Sequence, residues 1–294
     1  MRYRTIAGTT VSAIGLGAMP LSIEHRPDET RAIATVHAAL DAGITLIDTA
    51  DSYHWHAEEV GHNELLIARA LARYGADTSG VLVATKGGRG RPGDGTWTVD
   101  ATPARLKQAA EASAKRLGVD AIGLYQLHKS DPAVDWAESV GALRELLDAG
   151  TIRAAGISNV TSAQIRAAHA ILGEGLVSVQ NQYSAAVRDS EPELRLSTEL
   201  GLAFLPWSPL GGLSRSSLDG PSGSTSVGTA FHRIATERGV SPQQIALAWL
   251  LARSPAVIPV PGSSRPASIT DSAKAAELTL STEELALLED ALAG

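Results

Sequence analysis

Residues 46–53, LIDTADSY, close a short apolar run on two reactive side chains, Asp48 and Tyr53. Two later stretches repeat the pattern: VLVATKGG at 81–88 carries Lys86, and IGLYQLHKSDP at 122–132 carries His128. Each run is strand-sized, and a helical pattern separates each from the next. A β/α barrel gathers its chemistry at the C-terminal ends of its parallel strands. The spacing therefore predicts that Asp48, Tyr53, Lys86 and His128 meet in space.

Outward from these runs the alternation continues. After a two-strand opening at Tyr3–Ile6 and Val11–Ile14, strands are expected at Ile14–Ala18, Thr45–Asp48, Val81–Thr85, Ile122–His128, Ile152–Ile157, Val177–Gln182, Ala203–Trp207 and Val257–Val260. Amphipathic segments at Asp28–Ala42, Glu58–Tyr74, Thr102–Leu117, Asp135–Ala149 and Thr161–Leu172 carry apolar residues at helical spacing. Asp28 with Arg31, and the capping box of Thr161 and Gln164, mark helix starts. Eight strand–helix repeats make an α/β protein of the closed (β/α)8 TIM-barrel class, with the additional helices Thr229–Arg238, Pro242–Arg253 and Ser281–Leu292 toward the C-terminus. Two loops are long: Lys86–Val99, rich in Gly and Arg, and the Gly/Ser-rich stretch Gly211–Gly228. No composition break divides residues 1–294, so one domain is expected.

Composition excludes several functions. With no cysteine, the chain has no disulfide, thiolate metal site or cysteine nucleophile. A net charge of −7 argues against nucleic acid as the main partner, and no apolar run is long enough for a membrane helix. MRYRTIAGTT lacks the apolar core of a signal peptide, so a cytoplasmic location is expected. Oligomeric state is left open.

The four side chains suggest proton delivery. A tyrosine hydroxyl has an ordinary pKa of about 10. A lysine ammonium beside Tyr53 is expected to lower that value, and Asp48 to keep Lys86 charged, making the tyrosine a general acid. His128 can offer a second hydrogen bond to an oxygen gaining negative charge. Protonating an oxygen while its carbon is attacked is carbonyl reduction. No side chain supplies a hydride, so a nicotinamide cofactor is implied. The later strands offer groups to hold one. GISN ends on Ser158 and Asn159, VQNQY holds Gln180, and PWSPLGG places Trp207 for stacking and Ser208–Gly212 backbone amides for phosphate. VIPVPGSSRPASITDS sets Ser263 and Arg265 before a helix starting near Ser268, a suitable phosphate site.

With these residues in order, nearly the whole chain resembles the aldo-keto reductase superfamily. The resemblance implies a barrel with an N-terminal β-hairpin cap, catalytic Asp48, Tyr53, Lys86 and His128, and nicotinamide contacts from Ser158, Asn159, Gln180 and Trp207. It assigns the phosphate and adenosine contacts to Ser208, Leu210, Gly212, Ser263, Arg265, Ser268 and Asp271. The chain departs from the family where a Glu-Asn pair often ends the adenine segment, since Ser272 follows Asp271 here. Gly262 and Ser268 stand where some members carry Lys and Arg for the 2′-phosphate, which leaves Arg265 as the local candidate. NADPH is expected over NADH. The GSSRP segment resembles bacterial members more than the mammalian steroid-reducing branch.

Lys86 could form a Schiff base, as in barrel aldolases, but Tyr53 and the GISN, VQNQY and GSSRP segments would then be unexplained. His54, His56 and His62 cluster near one strand end, yet HWH lacks the carboxylates and later-strand ligands of a metallohydrolase, so no metal is expected. His54, Trp55 and His56 instead suggest a substrate mouth, with Trp97 as a second wall. Arg89 and Arg91 suggest a solvated loop face, with contact to an anionic substrate as the alternative. Trp136 and Trp249 suggest helix packing. The functional expectation is NADPH-dependent reduction of a small aldehyde or ketone. A nucleotide-binding regulatory or sensor module of the same fold, turning over weakly, is the alternative.

Overall fold

A computed structural model describes residues 1–211 and 226–293. A hairpin of β1 (Tyr3–Ile6) and β2 (Thr9–Ser12) comes first. Seven parallel strands follow: β3 (Leu16–Gly17), β4 (Leu46–Asp48), β5 (Leu82–Gly87), β8 (Leu124–Leu127), β9 (Ala155–Ser158), β10 (Leu176–Gln180) and β11 (Ala203–Phe204). They pair in the order β11-β10-β9-β8-β5-β4-β3. Between β5 and β8 lies a second hairpin, β6 (Arg89–Gly90) and β7 (Thr98–Val99), inside a segment expected to be an open loop.

The eighth staves position is filled by residues 256–262, which the sequence presents as a strand at Val257–Val260. Toward β11, Phe204 N donates to Ala256 O at 2.8 Å and Ile258 N to Phe204 O at 2.9 Å. Toward β3, Gly15 N and Gly17 N donate to Pro259 O and Pro261 O, both at 2.9 Å. The alternation explains why two prolines are tolerated here. Ile258 and Val260 direct their amides to the β11 side, so the missing proline N–H groups fall on the β3 side, where only carbonyls are needed. A regular ladder is not formed, but the barrel closes. Gly17 is required at that seam, because a Cβ there would lie 2.7 Å from Val260 O.

Helices wrap the sheet: α1 (Glu29–Asp41), α2 (His62–Ala72), α3 (Pro103–Leu117), α4 (Trp136–Asp148), α5 (Ser162–Leu172), α6 (Glu191–Glu199), α7 (Ser226–Arg238), α8 (Pro242–Arg253), α9 (Pro266–Lys274) and α10 (Thr282–Ala293). Their starts follow the sequence signals. Asp28 accepts from Arg31 N at 2.8 Å, and Thr161 and Gln164 form a reciprocal capping box. The helix expected from Glu58 begins instead at His62. Glu58 and Glu59 form a 3₁₀ turn, and Gly61, left-handed at φ 82°, separates it from α2.

Two apolar layers hold the barrel. Leu46, Ala84, Leu124, Ala154, Val177, Ala203 and Ile258 pack together inside it, with Ile6 and Val11 of the first hairpin in the same cluster. The hairpin thus caps the barrel. Helix faces cover the outside of the sheet, where Trp249, Tyr183 and Phe204 are fully buried. Each large apolar side chain so buried contributes roughly 1.5–3 kcal/mol. Among the described residues no helix is long and apolar enough to cross a membrane.

Candidate active site

The strand register brings the four reactive residues together. Asp48 pairs with Ala84, two residues before Lys86, and Lys86 pairs with Gln126, two residues before His128. Side chains two apart share a strand face, so these polar groups point the same way at the same barrel end. Lys86 Nζ donates to Asp48 Oδ2 at 2.6 Å, to Thr49 O at 2.9 Å and to Tyr53 Oη at 2.9 Å. All three ammonium hydrogens are used. Asp48 Oδ1 accepts from Gln180 Nε2 at 2.8 Å and from Gln126 Nε2 at 3.3 Å. The Tyr53 and His128 rings meet edge to face at 5.6 Å, and Ser52 Oγ lies 3.3 Å from His128 Nδ1.

Burial decides the protonation states. It pushes the Tyr53 hydroxyl above its ordinary range, and the Lys86 charge offsets only part of that. The sequence-based expectation of a lowered tyrosine pKa is therefore reversed, since desolvation of the ring and hydroxyl outweighs the ammonium. Burial also opposes the charge on Lys86, yet Asp48 and Tyr53 together outweigh it and the pKa rises. His128 is held well below its ordinary value by burial, then by Lys86 and Arg89. At neutral pH the set is a protonated phenol, an ammonium and a neutral imidazole.

These residues open on a cavity of about 480 Å³, within the usual size of a small-molecule site. Asp48, Tyr53, Arg89, Trp97 and His128 line it from the first strands, and Ser158, Asn159, Gln180, Trp207, Ser208 and Leu210 from the later ones. Ser158 Oγ donates to Gln180 O at 2.8 Å, Asn159 Nδ2 to His128 O at 2.9 Å, and Trp207 Nε1 to Asn159 Oδ1 at 3.2 Å. Asn159 and Ser208 are left-handed, with φ of 58° and 49°. Such strain in non-glycine residues persists only where surrounding contacts enforce it.

Other expected site residues lie elsewhere. Trp97 is on the cavity wall, but His54, Trp55 and His56 are not. His54 is buried, its Nδ1 2.7 Å from His56 O. Arg91 departs from the solvated face expected of it: it is 5% exposed and forms a bidentate pair with Glu24. Ser263, Arg265, Ser268 and Asp271 gather at α9, next to the lining residues Val260 and Gly262. Ser263 Oγ donates to Arg265 O at 3.0 Å, and Arg265 Nε to Ser268 Oγ at 3.3 Å. Asp271 accepts from Ser241 Oγ and Gln244 Nε2, both at 2.6 Å, so it ties α9 to the start of α8. Gly212 lies outside the described residues.

Two buried groups were missed in the sequence. Gln126 shares its strand face with His128, and that two-residue offset was the available signal. Asp51, two residues before Tyr53, is 1% exposed, with Oδ1 lacking a partner. Burial, then the Glu64 charge, raise its pKa to about 7. The unfolded carboxyl ionises near 3.8, so between these values the unfolded state holds fewer protons and stability falls as pH rises, levelling above 7. At about 1.4 kcal/mol per unit, the gap of about three units is worth up to roughly 4 kcal/mol. Asp51→Asn is therefore expected to stabilise the protein against urea at pH 8 and much less at pH 5. An equal effect at both pH values would refute the assignment.

The sequence model of the aldo/keto reductase family matches residues 13–293. An uncharacterised oxidoreductase of Schizosaccharomyces pombe is 35% identical over 291 residues, 97% of this chain and 88% of its own length. A 6-dehydroglucose reductase of Novosphingobium aromaticivorans is 35% identical over 272 residues, 92% of this chain and 88% of its own. The structure of a Klebsiella pneumoniae aldo/keto reductase in complex with NADP and acetate superposes with a TM-score of 0.79 at 26% identity, covering 98% of this chain and 94% of that one. The fold accordingly is the (β/α)8 barrel, and the chain belongs to the aldo/keto reductase family of NAD(P)H-dependent oxidoreductases.

Proposed function

We propose that this enzyme reduces a small aldehyde or ketone to the alcohol with NADPH, Tyr53 supplying the proton. One observation carries the reading: a protonated Tyr53 whose oxygen already accepts from a charged Lys86, at the wall of a cavity shared with a neutral His128. The lone pair held by Lys86 leaves the tyrosine's own hydrogen free to point at a carbonyl oxygen. As that oxygen takes the proton, the phenolate left behind is stabilised by the ammonium 2.9 Å away. If Ser52 donates to His128 Nδ1, the neutral ring carries its proton on Nε2 and can donate to the same carbonyl oxygen. Solvent then reprotonates Tyr53.

The residues present fit a nicotinamide dinucleotide. Ser158, Asn159 and Gln180 offer amide and hydroxyl groups on the cavity wall, Trp207 offers a flat indole, and Arg265 stands at the N-terminus of α9. When bound, the reduced ring supplies the hydride to the carbonyl carbon. The NADP complex of the Klebsiella relative supports the choice of cofactor. Loss of NADPH absorbance on adding simple aldehydes tests the function, and tight NADPH binding with negligible turnover would favour a sensor instead.

Arg265 gives a separate test of cofactor choice. A guanidinium paired with the 2′-phosphate favours NADPH alone, and a charge-assisted hydrogen bond is worth roughly 10- to 150-fold in affinity. Arg265→Ala should lose that factor for NADPH and almost nothing for NADH, as read by quenching of tryptophan fluorescence. Equal weakening of both cofactors would place Arg265 on the shared pyrophosphate.

A further inference from the structure

The charges around the cavity do not balance. Lys86 is matched by Asp48 at 2.6 Å and Arg91 by Glu24. Arg89, half-buried on β6 and lining the same cavity, has no carboxylate within 4.0 Å among the described residues. Its Nε is buried with no hydrogen-bond partner. The guanidinium lies 4.5 Å from the Trp97 ring centroid, and that ring stands edge-on to His128 at 6.3 Å. The β6–β7 pairing of Arg89 with Val99 anchors its backbone. Trp97 is also packed on its other cationic neighbour, with Arg91 at 4.6 Å, so the aromatic ring is already shared between two cations.

A partly desolvated cation without an anionic partner carries an uncompensated cost. Here it is also pre-positioned beside the reacting residues, and its planar fork matches a carboxylate or phosphate in two parallel hydrogen bonds. We propose that Arg89 recognises an anionic oxygen group on the substrate, so that the enzyme's preferred carbonyl compounds carry a carboxylate or phosphate. This deepens the reductase reading and rests on it. Arg91, 5% exposed and held by Glu24, is the cation that holds the loop. Of the two arginines on this loop, Arg89 is the one left for a ligand.

The test compares 4-formylbenzoate with its neutral analogue 4-formylbenzamide in the wild type, Arg89→Met and Arg89→Lys. The wild type should favour the benzoate in kcat/KM, and Arg89→Met should shrink that preference by roughly 10- to 150-fold. Arg89→Lys, which keeps the charge and loses the fork, should fall between and guards against misfolding as the cause. Benzoate titrated without cofactor, followed by Trp97 fluorescence, should show the same order of affinities. NADPH affinity should be the same in all three. An unchanged preference ratio together with unchanged benzoate affinity overturns the proposal, as does an NADPH affinity that falls in step with it. If benzoate binding follows Arg89 while neither aldehyde is reduced, the anion site stands and the reductase reading fails.

Discussion

Tyr53→Phe is expected to lower kcat by at least ~10²-fold, the usual cost of losing a general acid, with NADPH affinity little changed. The substitution removes one oxygen and keeps the ring. The edge-to-face contact with His128 at 5.6 Å needs only that ring. Lys86 keeps two of its three acceptors, Asp48 Oδ2 and Thr49 O, so its charge stays paired. Little else in the site depends on the hydroxyl. Single-turnover rates with NADPH and an aldehyde isolate the reduction step, and a Phe variant with near-wild-type kcat would remove Tyr53 from the mechanism.

The raised pKa of Tyr53 sharpens this expectation. A phenol whose pKa had been pulled toward neutrality would be partly ionised before substrate arrives. In the buried site the proton stays in place, and in the proposed mechanism Lys86 acts on the phenolate that forms during transfer. Burial could not be read from residues 46–53, because it depends on segments far away in the chain that enclose the ring. The direction of the shift was hidden for that reason.

The residue identities were legible because parallel strand ends converge, so Asp48, Lys86 and His128 each announced themselves by closing an apolar run. The closing segment was legible as a strand at Val257–Val260, but how it tolerates its prolines was not. Whether Pro259 and Pro261 break a strand depends on which neighbour their missing amides face, and that is a property of the assembled barrel. The β6–β7 hairpin has two residues per strand, too few to show alternation. The Glu24–Arg91 pair joins residues 67 apart and left Arg91 looking like solvated surface. Helix α6, by contrast, has Pro192 and acidic residues in its first turn, start signals that were present and unread.

Lys86→Met should abolish most reduction and also weaken the fold, and the two effects can be separated. Lys86 is fully buried, and its removal leaves Asp48 as a buried carboxylate to which, among the described residues, only Gln180 and Gln126 donate. Removing one partner of a buried pair costs about 3–5 kcal/mol, so the urea midpoint should drop. The double variant Asp48→Asn with Lys86→Met removes both charges and should recover much of the stability. It should recover none of the turnover, since nothing then stabilises the phenolate. Stability and activity restored together would make Lys86 a structural residue. The same lysine decides against a Schiff base. That chemistry needs a neutral amine with a depressed pKa, whereas Lys86 has its pKa raised and all three hydrogens donated. Borohydride with a carbonyl substrate should therefore leave Lys86 unmodified by mass spectrometry, and a trapped adduct there would replace hydride transfer with imine chemistry.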